Sequence, residues 1–164
     1  MHPLRALLQT RNDGVRLGRC LETLYPCEEI VIVDHGSSDD TLHIARLYGC
    51  TVIRAGLNPS SELLHQLISP LVGSGWTLCL EPCESLSEGL AASLFDWKLG
   101  GETSLAGPPR SAFLREETNA GWTEKSLAQV RLIPPGWNRW ERQMPGHDES
   151  SVPLEGALLR FTYP

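Results

Sequence analysis

The sequence predicts an α/β protein with a mixed, mainly parallel sheet that is flanked by helices. Three features predict this class: short apolar runs suited to buried strands, amphipathic segments between them, and short polar turns that connect the two. Strands that alternate with helices over short loops pair in parallel, because each helix carries the chain back along the sheet. With 164 residues, the chain is long enough for one domain with a single substantial core.

The alternation is regular from residue 1 to residue 99. The predicted strands are residues 4–9, 29–33, 51–54 and 76–80. The predicted helices are approximately residues 13–24, 39–48, 59–68 and 87–97. The second strand is continuous and β-branched, which is typical of a strand covered on both faces. Pro26 ends the first helix, and Gly49 closes the second.

Residues 100–164 differ in composition and do not show the regular alternation of strands and helices. Short segments with β-strand propensity are separated here by pairs of Gly or Pro, such as Gly100-Gly101, Pro108-Pro109 and Pro134-Pro135. The predicted pieces are residues 128–133, 139–142 and 157–163. This half is therefore predicted to be less regular and to add strands to one side of the sheet.

The composition excludes several classes of protein. The chain has 14 Lys and Arg against 20 Asp and Glu, a net charge of −6, which disfavours general binding to nucleic acid or anionic membranes. No apolar stretch approaches the roughly 18 residues of a transmembrane segment. Residues 1–5 lack the features of a signal peptide, so we expect a cytoplasmic protein. The five cysteines have no framework spacing, which is typical of reduced thiols.

Polar clusters follow three of the predicted strands, at Thr10–Asp13, Asp34–Thr41 and Glu81–Glu84. In an open parallel sheet, ligands bind outside the carboxyl ends of the strands. Turn and helix-cap chemistry explains the first two clusters when each is taken alone, because Asn, Asp, Ser and Gly are the residues that turns use. Their order and spacing together predict a site along one rim.

The segment Val31–Thr41 resembles the glycosyltransferase family 2 pattern of a hydrophobic strand, Asp, Gly-Ser-x-Asp-x-Thr and a helix. Thr10–Asp13 occupies the place of that family's opening Asn-Glu turn, and Trp76–Glu84 matches its strand ending in Asp-x-Asp-Glu. The second half is similar to bacterial members that extend lipopolysaccharide core sugars, for example at Gly121-Trp122 and His147–Glu149. The resemblance is to a shortened member with a degenerate Asp-x-Asp motif.

The resemblance implies a GT-A fold, a nucleotide-sugar donor such as a UDP-sugar or another NDP-sugar, and a saccharide or lipid-linked acceptor. Residues 1–99 would then be the nucleotide-binding half of a single domain, and residues 100–164 its irregular acceptor-side half. Asp34 is expected near the nucleotide base or ribose. The donor-side positions carried over are Thr10, Asn12, Asp34, Gly36, Ser37 and Asp39.

The Asp-x-Asp motif of this family normally binds Mg²⁺ or Mn²⁺, which stabilises the departing diphosphate. Here Glu81, Cys83 and Glu84 occupy the corresponding positions. Glu81 still offers a hard oxygen ligand, whereas Cys83 is a soft thiol that is mostly protonated near pH 7. Glu84 is the carboxylate that could compensate, so these three residues form the predicted metal site.

His147 and Asp148 are the predicted catalytic residues. The resemblance places a carboxylate or histidine in this region beside the acceptor, where it could deprotonate the hydroxyl for inverting attack. The alternative is a solvated surface histidine beside acidic residues. Trp122, Trp137 and Trp140 likewise have two interpretations: they line a sugar-binding cleft, or they fill gaps in a thin, loop-rich core.

Two functions from different classes follow. The first is a metal-assisted inverting glycosyltransferase, favoured by the Asp34 turn and the His147–Glu149 segment. The second is a degenerate domain that binds a nucleotide sugar or a partner protein without turnover, favoured by Glu81-Pro82-Cys83. An unrelated nucleotide-binding protein is disfavoured, because the sequence has no Gly-x-Gly-x-x-Gly or Walker phosphate loop. An exposed sheet edge in the second half would permit a homodimer.

Overall fold

The computed structural model describes residues 3–100 and 106–164. Its first elements are β1 (Leu4–Thr10), α1 (Gly14–Glu22), β2 (Glu29–Asp34), α2 (Thr41–Leu47), β3 (Thr51–Arg54), α3 (Ser61–Val72), β4 (Trp76–Leu80), β5 (Glu84–Leu86) and α4 (Glu88–Leu99). The later elements are β6 (Arg110–Thr118), β7 (Gly121–Glu124), β8 (Gln129–Ile133), β9 (Trp140–Glu141), β10 (Met144–Pro145) and β11 (Val152–Arg160). Within these ranges, no helix has the length and apolarity that crossing a membrane requires.

Nine of the described strands form one mixed sheet in the order β3-β2-β1-β4-β8-β6-β11-β5, with β7 paired to β6. The four strands at the β3 end are parallel neighbours, as predicted. The second half adds strands beyond β4, beginning with the antiparallel β8. The predicted α/β class with a mixed sheet is therefore confirmed. The carboxyl ends of β1, β2 and β4 meet at one rim.

The core lies on both faces of the sheet because successive strand residues point to opposite sides. In β1, Ala6 and Leu8 pack on the face covered by α1, α2 and α4. Leu7, between them, packs on the opposite face with Ile68 and Val72 of α3 and with the buried Trp137. This arrangement explains the continuous apolar pattern of the parallel strands.

The second half is more regular than the sequence predicts. The long strand β6 was not predicted, because its three consecutive apolar residues, Ala112–Leu114, lie between polar ones and do not show the alternation of a half-buried strand. The strand β11 begins at Val152 rather than at residue 157, since a register shift between Pro153 and Ala157 interrupts its pattern. Gly156 lies at this shift with φ 88°, and a Cβ there would meet the backbone nitrogen of Leu90 at 2.2 Å. Only glycine allows α4 to approach the sheet so closely.

Candidate functional site

The ends of β1 and β2 form a corner around the carboxylate of Asp34. In the sheet register, Thr10 lies opposite Asp34, and its hydroxyl donates a hydrogen bond of 2.9 Å to Oδ1. The backbone amides of Gly36 and Ser37 donate to Oδ2 at 3.1 and 2.9 Å. The two carboxylate oxygens are therefore engaged by β1 and by the turn that follows β2, and Asp34 is only 2% exposed.

These hydrogen bonds fix the charge state of Asp34. Burial by itself would raise the pKa of Asp34, but the hydrogen bonds from Ser37, Thr10 and Gly36 favour the charged form and lower the pKa below its usual value. Gly36 has φ 81°, and a Cβ there would lie 2.8 Å from the side chain of Leu57. Asp34 is thus an ionised anchor that shapes the rim, rather than a carboxylate with free acceptor positions.

A second set of hydrogen bonds ties the loop after β1 to the loop after β2. The backbone amide of Asn12 donates to Ser37 Oγ at 2.9 Å, and the amide of Ser38 donates to Asn12 Oδ1 at 2.8 Å. The carboxylate of Asp39 accepts from the amides of Gly14 and Thr41 at 2.9 and 3.0 Å. The structure therefore brings together all six residues that were predicted to face the donor.

A groove opens beside this corner. Its first part is a cavity of about 500 Å³ lined by Gln9, Thr10, Arg11, Asp13, His35, Asn58, Pro59, Leu64 and Gln143. Its second part is a cavity of about 740 Å³ between α3 and the segment 136–143. Gln9, Leu64 and Gln143 line both cavities, so the two lie side by side. A small cavity of about 40 Å³ connects Gln9 and Gln143 to Glu81 at the end of β4.

Several residues of the groove were not predicted from the sequence. His35 is buried, and its Nε2 lies 2.7 Å from Gln9 Oε1, while Gln9 Nε2 donates to the carbonyl of Gln143 at 3.4 Å. Burial lowers the pKa of His35. The position of His35 directly after Asp34 indicated a place at the rim, but turn chemistry favoured the interpretation of His35 as an ordinary turn residue. Gln143 is separated from Gln9 by 134 residues, and nothing in the sequence pairs them.

Three non-glycine residues in the described ranges have positive φ: Asn12 at 54°, Asn58 at 47° and Arg142 at 56°. Asn58 and Arg142 line the groove, and Asn12 follows the lining residue Arg11. Residues in this conformation often cluster at functional sites, where the surrounding structure holds them in place. Their common location supports the groove as the candidate site.

The end of β4 differs from the predicted metal site. Glu84 is fully buried and forms a two-pronged salt bridge with Arg131 at 2.6 and 2.9 Å. Arg160 Nη2 lies 3.0 Å from the same carboxylate and 3.1 Å from Glu81 Oε2. Two guanidinium groups already occupy the Glu84 carboxylate, which argues against a role for Glu84 as a compensating metal ligand, and that role stays a prediction.

Cys83 does not complete a metal site either. Burial, together with the nearby Glu84 and Glu81, raises the pKa of Cys83 to about 11, so the thiol stays protonated. In the part of the chain that the structure describes, no three His, Cys, Asp or Glu side chains cluster as metal ligands. The donor set offered by Glu81, Cys83 and Glu84 thus does not fit Mg²⁺ or Mn²⁺, which require several free oxygen ligands.

The two predicted catalytic residues lie in different environments. Asp148 is buried, and its Oδ1 accepts from the amide and hydroxyl of Ser150 at 2.7 and 2.6 Å, while Oδ2 pairs with Arg139. These hydrogen bonds from Ser150 lower the pKa of Asp148, which makes it a weak base. His147 is exposed and lines neither of the two cavities that meet at Gln9.

Asp148 instead anchors the wall of the groove. Arg139, its partner, lies over the ring of Trp137 at 4.6 Å from the ring centroid, and the Trp137 indole donates to the Arg139 carbonyl at 2.7 Å. Trp137 and Trp140 line the larger cavity, whereas Trp122 packs against Phe161 outside it. Trp137 thus lines the larger cavity and also belongs to the core, where it is 8% exposed, and a contact between the tryptophans and a sugar stays a prediction.

Two curated relatives are glycosyltransferases by name. The lipopolysaccharide core biosynthesis glycosyltransferase LpsC of Rhizobium meliloti is 46% identical over 46 residues, which cover 28% of this chain and 17% of LpsC. An uncharacterized glycosyltransferase of Rickettsia prowazekii, RP128, is 28% identical over 93 residues, or 55% of this chain and 31% of that protein. The matched segment thus spans less than a third of either relative.

Two solved structures are similar in fold. TarS of S. aureus matches 72% of this chain and 22% of its own, with 16% identity and a TM-score of 0.45. Glucosyl-3-phosphoglycerate synthase from Mycobacterium tuberculosis, solved with Mn²⁺, UDP and glucosyl-3-phosphoglycerate, matches 70% of this chain and 43% of its own, with 16% identity and a TM-score of 0.46. No protein-family model matches the chain.

Proposed function

Because the chain is glycosyltransferase-like in sequence, we propose that it binds a nucleotide-sugar donor in the groove beside Asp34. The donor would be a UDP-sugar or another nucleoside diphosphate sugar. The observation that carries this proposal is the cavity at the carboxyl ends of β1 and β2, the edge where open α/β sheets bind ligands, together with the larger cavity beside it.

The lining of the groove suits such a donor. The part beside β1 and β2 presents Arg11, His35 and Asn58, whose donors and acceptors match phosphate and ribose oxygens. The larger part presents Trp137 and Trp140, whose ring faces can pack on the C–H surface of a sugar. We therefore place the nucleotide beside His35 and the transferred sugar toward the tryptophans.

We further propose transfer of a hexose to a saccharide or lipid-linked acceptor with inversion. The acceptor oxygen would attack the anomeric carbon as the bond to the diphosphate oxygen breaks on the opposite face. A base would take the hydroxyl proton. His147, outside the two cavities, keeps an exposed imidazole and is the proposed base for an acceptor that approaches the groove from that side, whereas Asp148 would act by ordering the neighbouring segment through Arg139.

The second candidate function is binding without turnover. The closed salt-bridge cluster at Glu84 favours it, because the carboxylates that would recruit a divalent metal are already neutralised. A domain of this kind would hold a nucleotide sugar, or present the groove to a partner, without stabilising a departing diphosphate through a metal.

Calorimetric titration with UDP and with UDP-glucose tests the donor site. We expect saturable binding to the wild-type protein and, for His35→Ala, a loss of affinity of about tenfold, because the imidazole lines the groove. His43→Ala is the matched control, since His43 is exposed on α2 outside the groove. Absence of binding to any nucleoside diphosphate, or an equal effect of the two substitutions, would refute the proposed site.

Release of UDP then separates the two functions. The wild-type protein is incubated with UDP-glucose and a mixture of candidate saccharide acceptors, and free UDP is measured. Release that depends on an acceptor supports transfer, and its loss in His147→Ala supports the proposed base. Binding without any release supports the second function.

A further inference from the structure

We infer that Arg160 holds the position in which a divalent cation would be expected, so that the domain binds its ligand without a metal ion. The identity of the ligand, a nucleotide sugar, rests on the proposed function. The cation position itself can be measured independently of any nucleotide.

The contacts of Arg160 are those of a bridging cation. Its Nη2 lies 3.1 Å from Glu81 Oε2 and 3.0 Å from Glu84 Oε2, and its Nε lies 3.3 Å from the same oxygen of Glu84. A divalent metal bound to these two carboxylates would also stand between them. The guanidinium group occupies this location instead and supplies hydrogen bonds to both acids.

The charges of the cluster balance without a metal. Glu81 and Glu84 supply two negative charges, and Arg131 and Arg160 supply two positive charges. The exposed fractions of the Glu84 and Arg131 side chains are 0% and 3%, so water screens their attraction little. A dication added to this neutral cluster would have to displace a buried or half-buried guanidinium group. That displacement is unfavourable, because it leaves the guanidinium group without its carboxylate partner.

The backbone explains why Arg160 lies there. In the β5–β11 ladder, Arg160 is the register partner of Glu84, and Leu158, two residues earlier on the same face of β11, packs in the core. The carbonyl of Cys83 accepts from the amide of Phe161 at 2.9 Å, which fixes the end of β11 beside the loop after β4. The arginine is therefore placed by strand pairing rather than by a flexible tail.

The cluster also borders the groove. Glu81 lines the small cavity that contains Gln9 and Gln143, the two residues shared by the larger cavities. The side chains of Arg160 and Glu81 are 29% and 43% exposed, so solvent reaches this pair. An anionic group that reached the end of β4 would thus meet a fixed arginine instead of a metal ion.

Binding of Mn²⁺ to the protein, followed by electron paramagnetic resonance, tests the inference. We expect no stoichiometric Mn²⁺ binding to the wild-type protein or to C83D, because Arg160 pairs with the introduced aspartate. The double variant C83D/R160Q should bind Mn²⁺ at least about tenfold more tightly than C83D, since the carboxylates lose their resident cation. C83D/R115Q is the matched control, because Arg115 lies on the neighbouring strand β6 outside the cluster.

Stoichiometric Mn²⁺ binding to the wild-type protein would overturn the inference. Equal Mn²⁺ binding by C83D and C83D/R160Q would do the same, and so would a folded double variant that fails to bind Mn²⁺. If C83D/R160Q does not fold, as judged by circular dichroism, the comparison of the wild-type protein with C83D decides alone: Mn²⁺ binding by C83D with Arg160 in place refutes the inference, and its absence supports it.

A second experiment measures whether UDP binding in the groove depends on a metal ion. The affinity of the wild-type protein for UDP should be the same within about twofold in EDTA and in MnCl₂. A strict requirement for Mn²⁺ would contradict the inference while supporting the proposed function. Absence of UDP binding under both conditions would contradict the proposed function, and the Mn²⁺ titration would still decide the role of Arg160.

Discussion

The corner at Asp34, the last residue of β2, and the cluster at Glu84, the first residue of β5, are built in opposite ways. Asp34 is held by backbone amides and hydroxyls of its own turn and of the adjacent strand. Glu84 is held by two arginines that come from β8 and β11. Both carboxylates are buried, but only the second is neutralised by opposite charge.

The difference shows where local sequence determines a site and where it does not. The donors to Asp34 lie within three residues or on a strand that pairs with β2. The partners of Glu84 lie 47 and 76 residues away. A motif therefore identifies the first environment, whereas the second depends on how distant strands are ordered in the sheet.

The largest effect is expected from removing one arginine of the cluster. Arg131→Met leaves the buried Glu84 with a single cationic partner, and we expect a loss of about 3 kcal/mol in the free energy of unfolding. Urea denaturation measures this loss. Arg115→Met, at a half-buried arginine with a 3.6 Å ion pair to the exposed Glu124, serves as the control and should change stability by less than about 1 kcal/mol. Equal losses of stability in the two variants would show that the buried Arg131–Glu84 pair contributes no more than the Arg115–Glu124 pair.

A smaller loss is expected at the corner. Asp34→Asn turns an amide group toward backbone N–H donors, and we expect a loss of about 1–3 kcal/mol in the same urea experiment. Asp40→Asn is the control, because Asp40 precedes α2 without a side-chain capping hydrogen bond. Asp34→Asn should also weaken UDP binding, since the turn that it holds carries His35. Unchanged stability would show that the hydrogen bonds at the corner contribute little.

The pH dependence of stability sharpens the contrast. The pKa of Asp34 is lower in the folded protein than in the unfolded chain, so its contribution is complete above the unfolded pKa of about 3.9 and is lost as the pH falls through the folded value. The free energy of unfolding of the wild-type protein should therefore decline between about pH 5 and pH 2, and less steeply in Asp34→Asn. If the free energy of unfolding falls equally steeply with acid pH in both proteins, the pKa of Asp34 is not lowered by folding.

The smallest effect is expected at Cys83. Its pKa is raised to about 11, so the folded protein should react slowly with iodoacetamide at neutral pH, and the rate should rise only as the pH approaches that value. Cys83→Ser should change stability by less than about 1 kcal/mol, because the thiol makes only a 3.8 Å contact with Glu81. Rapid alkylation of Cys83 at neutral pH would indicate a thiolate and a more open cluster.

Much of the parallel half could be predicted from the sequence. The β-branched run of β2, the residues at its end and the turn after β1 determine a corner whose contacts are short in sequence or follow from adjacent strands. The strand β6 could not be predicted, because its only apolar residues are the consecutive Ala112–Leu114 and four polar residues follow them without alternation. Gln143 and Arg160 could not be assigned to the site, because only the packing of the β9–β10 hairpin and the ordering of β11 bring them there.

We propose that the residues at the ends of β1 and β2 form a nucleotide-binding groove. Titration of the ¹⁵N-labelled protein with UDP in EDTA, followed by ¹H–¹⁵N correlation spectra, tests it most directly. We expect saturable shifts of the amides of Arg11, His35 and Asn58, with the amide of His43 unchanged. Shifts confined to other surfaces, or no shifts at any UDP concentration, would contradict the account.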